Sequence, residues 1–183
     1  MFRQQKYDDR NPVVRFLIGR FFARIGTTVA GLGPKSLLDA GCGEGELIRR
    51  VVLPGVRTVL LDRNPESAAG VLASVKALPF GATSFDVVTC LEVLEHLEDP
   101  RAAAQELARV ARRAVILSVP HEPYFRIGNL LRGKHVERLG DHPEHVQHWN
   151  LRTFGAFLAA VFREVRLIEA FPWIIACCRP DRH

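Results

Sequence analysis

Ser36-Leu37-Leu38-Asp39-Ala40-Gly41-Cys42-Gly43-Glu44-Gly45 is a short apolar run that ends in an acid, followed by three glycines at alternate positions. The apolar part reads as a buried strand, and the amphipathic run at 46–53 that follows reads as a helix. Strand, glycine turn and helix together let the backbone approach a nucleotide closely, because a missing Cβ removes the steric barrier. The spacing here is G-x-G-x-G. It is not the G-x-G-x-x-G of a dinucleotide fingerprint, so a phosphate-binding turn and a dehydrogenase are disfavoured. About twenty residues on, Val59-Leu60-Leu61-Asp62 reads as a second buried strand ending in a carboxylate, placed to accept hydrogen bonds from ribose hydroxyls.

Working outward, strands are expected near 36–41, 56–62, 85–91 and 114–120. Helices are expected at 101–112 and 149–161. Two closing strands, 165–171 and 173–178, are joined tightly around Pro172. Strands alternating with helices signal a parallel sheet covered by helices on both faces. Between Asp62 and Pro79 there is room for one brief helix and a stub of a third strand. Toward the N-terminus, residues 13–25 place Val13, Val14, Leu17, Ile18, Phe21, Phe22 and Ile25 on one half of a helical wheel, with Phe16 the exception. That helix is read as a cover for the sheet edge or the cofactor pocket, with a basic helix lying on an anionic membrane surface as the alternative. Gly31-Leu32-Gly33-Pro34 is expected to break the chain before the first strand. The whole reads as one domain over 1–183, with an N-terminal helical cap at 1–34 and a cofactor-binding core at 35–120. An acceptor lid at 121–150 and a closing helix and hairpin at 151–183 complete it.

The chain has 183 residues and is 48% hydrophobic, enough for a proper core. It carries no apolar run of membrane-spanning length, and MFRQQKYDDRNP lacks the apolar core of a secretion signal. Cys42, Cys90, Cys177 and Cys178 have no zinc or redox spacing and read as small buried hydrophobes, so a cytoplasmic location is expected. The net charge of +5 is concentrated at the N-terminus: residues 1–26 hold six bases and two acids, and the remainder is near neutral. A nucleic-acid groove across the catalytic face is therefore not expected, and any electrostatic partner is expected at the N-terminal segment.

At these residues the chain resembles the class I S-adenosylmethionine-dependent methyltransferases. LDAGCGEG is similar to their first motif, and LLD at 60–62 to the acidic end of their second strand. Ala77-Leu78-Pro79-Phe80, Ser84-Phe85-Asp86-Val87-Val88, Val93-Leu94-Glu95-His96 and Pro100 match later segments in the right order, and the resemblance covers roughly 37–165. It implies a Rossmann-like, doubly wound seven-stranded sheet, mostly parallel with an antiparallel last strand, and S-adenosylmethionine as cofactor. By the same resemblance Asp39, Gly41, Cys42 and Gly43 hold the methionyl end and Asp62 the ribose. Leu61 and Arg63 would flank the adenine, and Ala77, Leu78 and Leu91 would complete the pocket. Where the family often has an acid four residues before the LPF segment, this chain has Ser74, and the 76–78 backbone is the expected substitute.

Two clusters could act on a methyl acceptor, which is expected to be a small molecule, quinone-like or lipid-linked, methylated on oxygen or nitrogen. If residues 92–96 were helical, Glu92, Glu95 and His96 would share one face at i, i+3 and i+4 and could bind a divalent metal. That arrangement resembles the metal-binding segments of ubiquinone-pathway O-methyltransferases and of small-RNA 2′-O-methyltransferases. Alternatively His96 acts as a base, or the segment only anchors a loop. Five of the seven histidines fall at 121–148, where His121 and His145 are the proposed bases of the acceptor lid. A non-catalytic cofactor-binding partner subunit is the reading from a different class.

Overall fold

Ser36–Ala40, five consecutive buried residues, form β1, an interior strand of a seven-stranded sheet. The computed structural model describes residues 11–51, 53–131 and 146–181. Helix α1 (Pro12–Leu32) precedes β1, and the glycine turn and α2 (Glu46–Arg50) follow it. Next come β2 (Arg57–Asp62), β3 (Val71–Leu72) and β4 (Phe85–Leu91), then a 3-10 turn (Leu94–His96) and α3 (Pro100–Val110). The chain continues through β5 (Ala111–Pro120), α4 (Tyr124–Leu131), α5 (Leu151–Ala159), β6 (Glu164–Ala170) and β7 (Trp173–Arg179).

The strand order is β3-β2-β1-β4-β5-β7-β6. Strands β1 to β5 pair in parallel, while β7 runs antiparallel between β5 and β6. The chain winds outward from β1 to β3, then returns to β4 on the other side of β1. That reversal opens a crevice beyond the carboxyl ends of β1 and β4, where open α/β sheets bind ligands.

Alternation along each strand sorts the core into two layers. Leu38, Val88, Val115 and Leu117 point to the layer that holds Ala103, Leu107 and Val110 of α3 and Phe154 and Leu158 of α5. Leu37, Val87, Ala114 and Ile116 point to the other layer, where Ile18, Phe21, Phe22, Ile25 and Val29 of α1 pack with Leu47 and Trp173. Helix α1 therefore covers a sheet face, not an edge. Its exposed side retains Arg15 and Arg20 together with Val13 and Phe16, which are 63% and 62% exposed. No described helix is long and apolar enough to cross a membrane.

Four elements differ from expectation. Helix α1 runs through Gly31 to Leu32 and stops at Gly33, whose left-handed φ of 53° lets its N–H close on the Ala30 carbonyl. Helix α2 ends at Arg50, short of residue 53. No helix forms at 63–70: the Asp62 side chain accepts from Asn64 N–H and the Asn64 side chain from Glu66 N–H, so local turns win over helix. Within the segment read as a lid, Tyr124–Leu131 forms a helix; residues 132–145 lie outside the described residues.

Candidate active site

Asp39, the fourth residue of β1, is 3% exposed, and its Oδ1 accepts the Thr89 hydroxyl of β4 at 2.8 Å. Gly41 follows at φ 78°, and a Cβ there would sit 2.5 Å from Val93 Cγ2, so the turn tolerates glycine only. Gly41 and Cys42 N–H both donate to the Leu61 carbonyl, at 2.7 and 3.0 Å, tying the turn to β2. Gly43 N–H donates to Asp62 Oδ2 at 2.9 Å, and Asn64 N–H to Asp62 Oδ1 at 2.9 Å. A Cβ on Gly43 would meet nothing within 4 Å, so this stretch of backbone borders open space beside both acids.

Burial, and then the negative charge of Asp62, pushes the Asp39 carboxyl up to about 6 against the opposing Thr89 hydrogen bond. Burial and the two acids together push the Cys42 thiol up to about 12, and the buried Cys90 thiol is also raised. These cysteines are neutral, non-nucleophilic packing residues. The floor of the crevice is thus electronegative. It suits a ligand with positive charge, such as the ammonium and sulfonium of S-adenosylmethionine, and disfavours a pyrophosphate. On this ground the residues present fit that cofactor: Asp39 and the 41–43 turn toward its charged end, Asp62 toward a ribose.

The remaining cofactor-side positions are mixed. Arg63 is exposed beyond β2, whereas Leu61 is fully buried in the core layer and serves the site through its carbonyl, not as an apolar wall. Ser74 makes a turn: its hydroxyl accepts from Lys76 N–H and its carbonyl from Ala77 N–H. Ala77 is exposed, Leu78 buried, and Leu91 half-buried at the end of β4. Sequence reasoning missed what fixes the 78–80 loop. Glu106 of α3 accepts Leu78 N–H at 2.9 Å, while Arg109 donates to the carbonyls of Leu78 and Phe80 at 3.1 and 2.8 Å. The two side chains also pair with each other, which holds the Glu106 carboxyl below its usual range. An acid and a base three apart on a helix was the available signal, but it cannot name a loop some thirty residues away.

The Glu92, Glu95, His96 metal set is not formed as expected. Glu92 is no part of a helical turn; it follows the last residue of β4 at a left-handed φ of 56°, and the 3-10 turn begins only at Leu94. Its buried carboxylate accepts the Ser118 hydroxyl at 3.1 Å and the Trp173 indole N–H at 2.8 Å. Glu95 is buried, with His96 Nε2 3.9 Å from its Oε1. Among the described residues no three His, Cys, Asp or Glu groups stand close enough to share an ion.

The chain does return to this turn near the end of the segment read as a lid. Val146 and Gln147 N–H both donate to the Glu95 carbonyl, at 2.8 and 3.0 Å, and Gln147 Nε2 donates to the Leu97 carbonyl. His121, just past β5, is half-buried, with its N–H on the Pro172 carbonyl and its ring 4.9 Å edge-on from Tyr124. His121 also bridges to Trp149, so the β5 end, the 146–149 segment and the 94–96 turn are neighbours at one end of the sheet. His145 lies outside the described residues, as do His135 and His142.

A family model described as methyltransferase domain matches residues 38–119. The chain is 33% identical over 105 residues to the ubiquinone biosynthesis O-methyltransferase of Cronobacter sakazakii, a match covering 48% of this chain and 42% of that protein. It thus spans about two fifths of the length of the curated relatives it matches. The fold is similar to the PH0226 protein of Pyrococcus horikoshii, at TM-score 0.70 and 15% identity over 97% of this chain and 96% of that one. It is also similar to the methyltransferase domain of bacterial CtHen1, at TM-score 0.67 and 20% identity over 90% of this chain and 100% of that one. The motif order, the sheet order with its antiparallel β7 and the methyltransferase model matched over 38–119 together support a class I S-adenosylmethionine-dependent methyltransferase.

Proposed function

We propose that this protein transfers a methyl group to an oxygen or nitrogen of a small apolar molecule, quinone-like or lipid-linked. The carrying observation is the pair Asp39 and Asp62 at the ends of β1 and β2, joined by a glycine backbone that borders open space. S-adenosylmethionine, when bound, supplies a methyl already activated on sulfur. The chain's own task is to hold donor and acceptor in line and to accept a proton from the acceptor. The ubiquinone-biosynthesis names of its relatives support a small-molecule oxygen as acceptor. Apolar surface beside the β5 end suits such a substrate: Tyr124, Ile127 and Phe171 are exposed, with the Tyr124 and Phe171 rings 5.7 Å apart.

His121 is proposed to take the proton; its backbone N–H bond to Pro172 and its ring contact with Tyr124, beside the exposed apolar surface, support that reading. Methyl transfer to a panel of catechols and quinols, measured with His121→Ala, tests this role. Loss of a general base lowers turnover by roughly 10²–10⁴ and leaves cofactor affinity intact. Full turnover in that variant places the base elsewhere.

A further inference from the structure

At the end of the sheet opposite Asp39 and Asp62, the amino ends of β1, β2, β4 and β5 surround a second cavity of about 510 Å³, within the range that small ligands fill. It is lined by Gly33, Ser36 and Ser84 and by Lys35, Arg57, Asp86, Arg112 and Arg113. Four cations face one carboxylate, and that carboxylate is already used. Asp86 accepts Lys35 and Ser36 N–H at 2.8 and 3.2 Å and the Arg112 guanidinium at 2.8 Å. The Lys35 backbone bond is the main reason its carboxyl stays below the usual range, so Asp86 is ionised and neutralises only one of the four. Arg112 spends a second donor on the Thr83 carbonyl, and Arg113 spends one on the Gly33 carbonyl. Lys35 and Arg57 are exposed and have no side-chain ion pair among the described residues.

The near-neutral charge of residues beyond 26 conceals this cluster, because its four cations come from three separate strand starts. Like charges gathered in a concave site repel one another and focus a positive potential on the space between them. The lining has no aromatic ring on which a base could stack and no aliphatic side chain against which an apolar body could be buried. Guanidinium forks match oxyanions, and several together match an anion of more than one charge. We propose that this cavity is a binding site for a small oligophosphate anion, with pyrophosphate the simplest member of the class. Lys35, Arg57 and Arg113 contact the anion, while Asp86 holds Arg112 and the start of β1 in place. The site stands apart from the methyl-transfer crevice, and the proposal does not depend on the activity assigned there.

Titration calorimetry of the whole chain with sodium pyrophosphate, at low and at physiological salt, tests it. The wild type binds one pyrophosphate per chain, more weakly as salt rises. Lys35→Ala combined with Arg57→Ala weakens binding about a hundredfold, at about tenfold for each charge-assisted contact. Arg15→Ala combined with Arg24→Ala removes the same charge from α1 and changes affinity less than about threefold, since those charges are distant and screened. Thermal melts of both variants accompany the titrations, and the single Arg57→Gln exchange, expected to cost about tenfold, replaces the double variant if that one melts early. Absence of pyrophosphate binding to the wild type, or equal weakening by the two double variants, overturns the proposal.

Discussion

Replacing Asp39 by Asn should make the empty protein more stable while removing its cofactor binding. Asp39 sits 3% exposed with a carboxyl raised from 3.8 to about 6. The sign follows from proton binding. Between those two values the folded chain holds a proton on Asp39 that the unfolded chain has lost, so stability falls as pH rises through that window. Above about 6 the full cost of holding the ionised group in the folded state applies, on the order of 3 kcal/mol for a shift of about two pH units. The Asn amide keeps the shape and an oxygen acceptor for the Thr89 hydroxyl but carries no charge. Chemical and thermal denaturation at pH 8 should therefore show Asp39→Asn more stable than wild type by about 3 kcal/mol, or roughly 6–12 °C in Tm. The difference should vanish near pH 4, where Asp39 is protonated in the folded wild type. A gain that is independent of pH, or a loss at pH 8, would refute the account of a strained, charged site floor.

Two further substitutions probe the scaffold of the site. Arg109→Met, which removes the donors to the Leu78 and Phe80 carbonyls, should cost about 1 kcal/mol of stability and weaken S-adenosylmethionine binding several-fold, read by calorimetry. Gly41→Ala forces a side chain into φ 78° and against Val93 Cγ2, and should destabilise the fold by at least about 2 kcal/mol in urea titrations.

The succession of strands along the chain and the places of Asp39 and Asp62 were legible because each acid closes a short apolar run. The partners that complete the site were not. Thr89 reaches Asp39 from fifty positions away, and Trp173 reaches Glu92 from eighty-one, contacts that only the folded sheet creates. The expected helical face of Glu92, Glu95 and His96 failed on one backbone angle: a glutamate at φ 56° is uncommon, and no local pattern announces it. The brief helix expected between Asp62 and Pro79 failed because Asp62 and Asn64 bond to nearby N–H groups and turn the chain before a helix can nucleate. Net charge by segment did not reveal the basic cavity for a similar reason, since Lys35, Arg57, Arg112 and Arg113 meet only through the sheet.

The central claim is that the crevice beyond β1 and β2 holds S-adenosylmethionine through its two acids. Calorimetric titration of the purified chain and of Asp62→Ala with S-adenosylmethionine and, separately, with NAD tests it most directly. The account predicts one S-adenosylmethionine per wild-type chain, affinity reduced about ten- to a hundredfold by Asp62→Ala, and no uptake of NAD. Unchanged affinity in Asp62→Ala, or binding of NAD in place of S-adenosylmethionine, would contradict it.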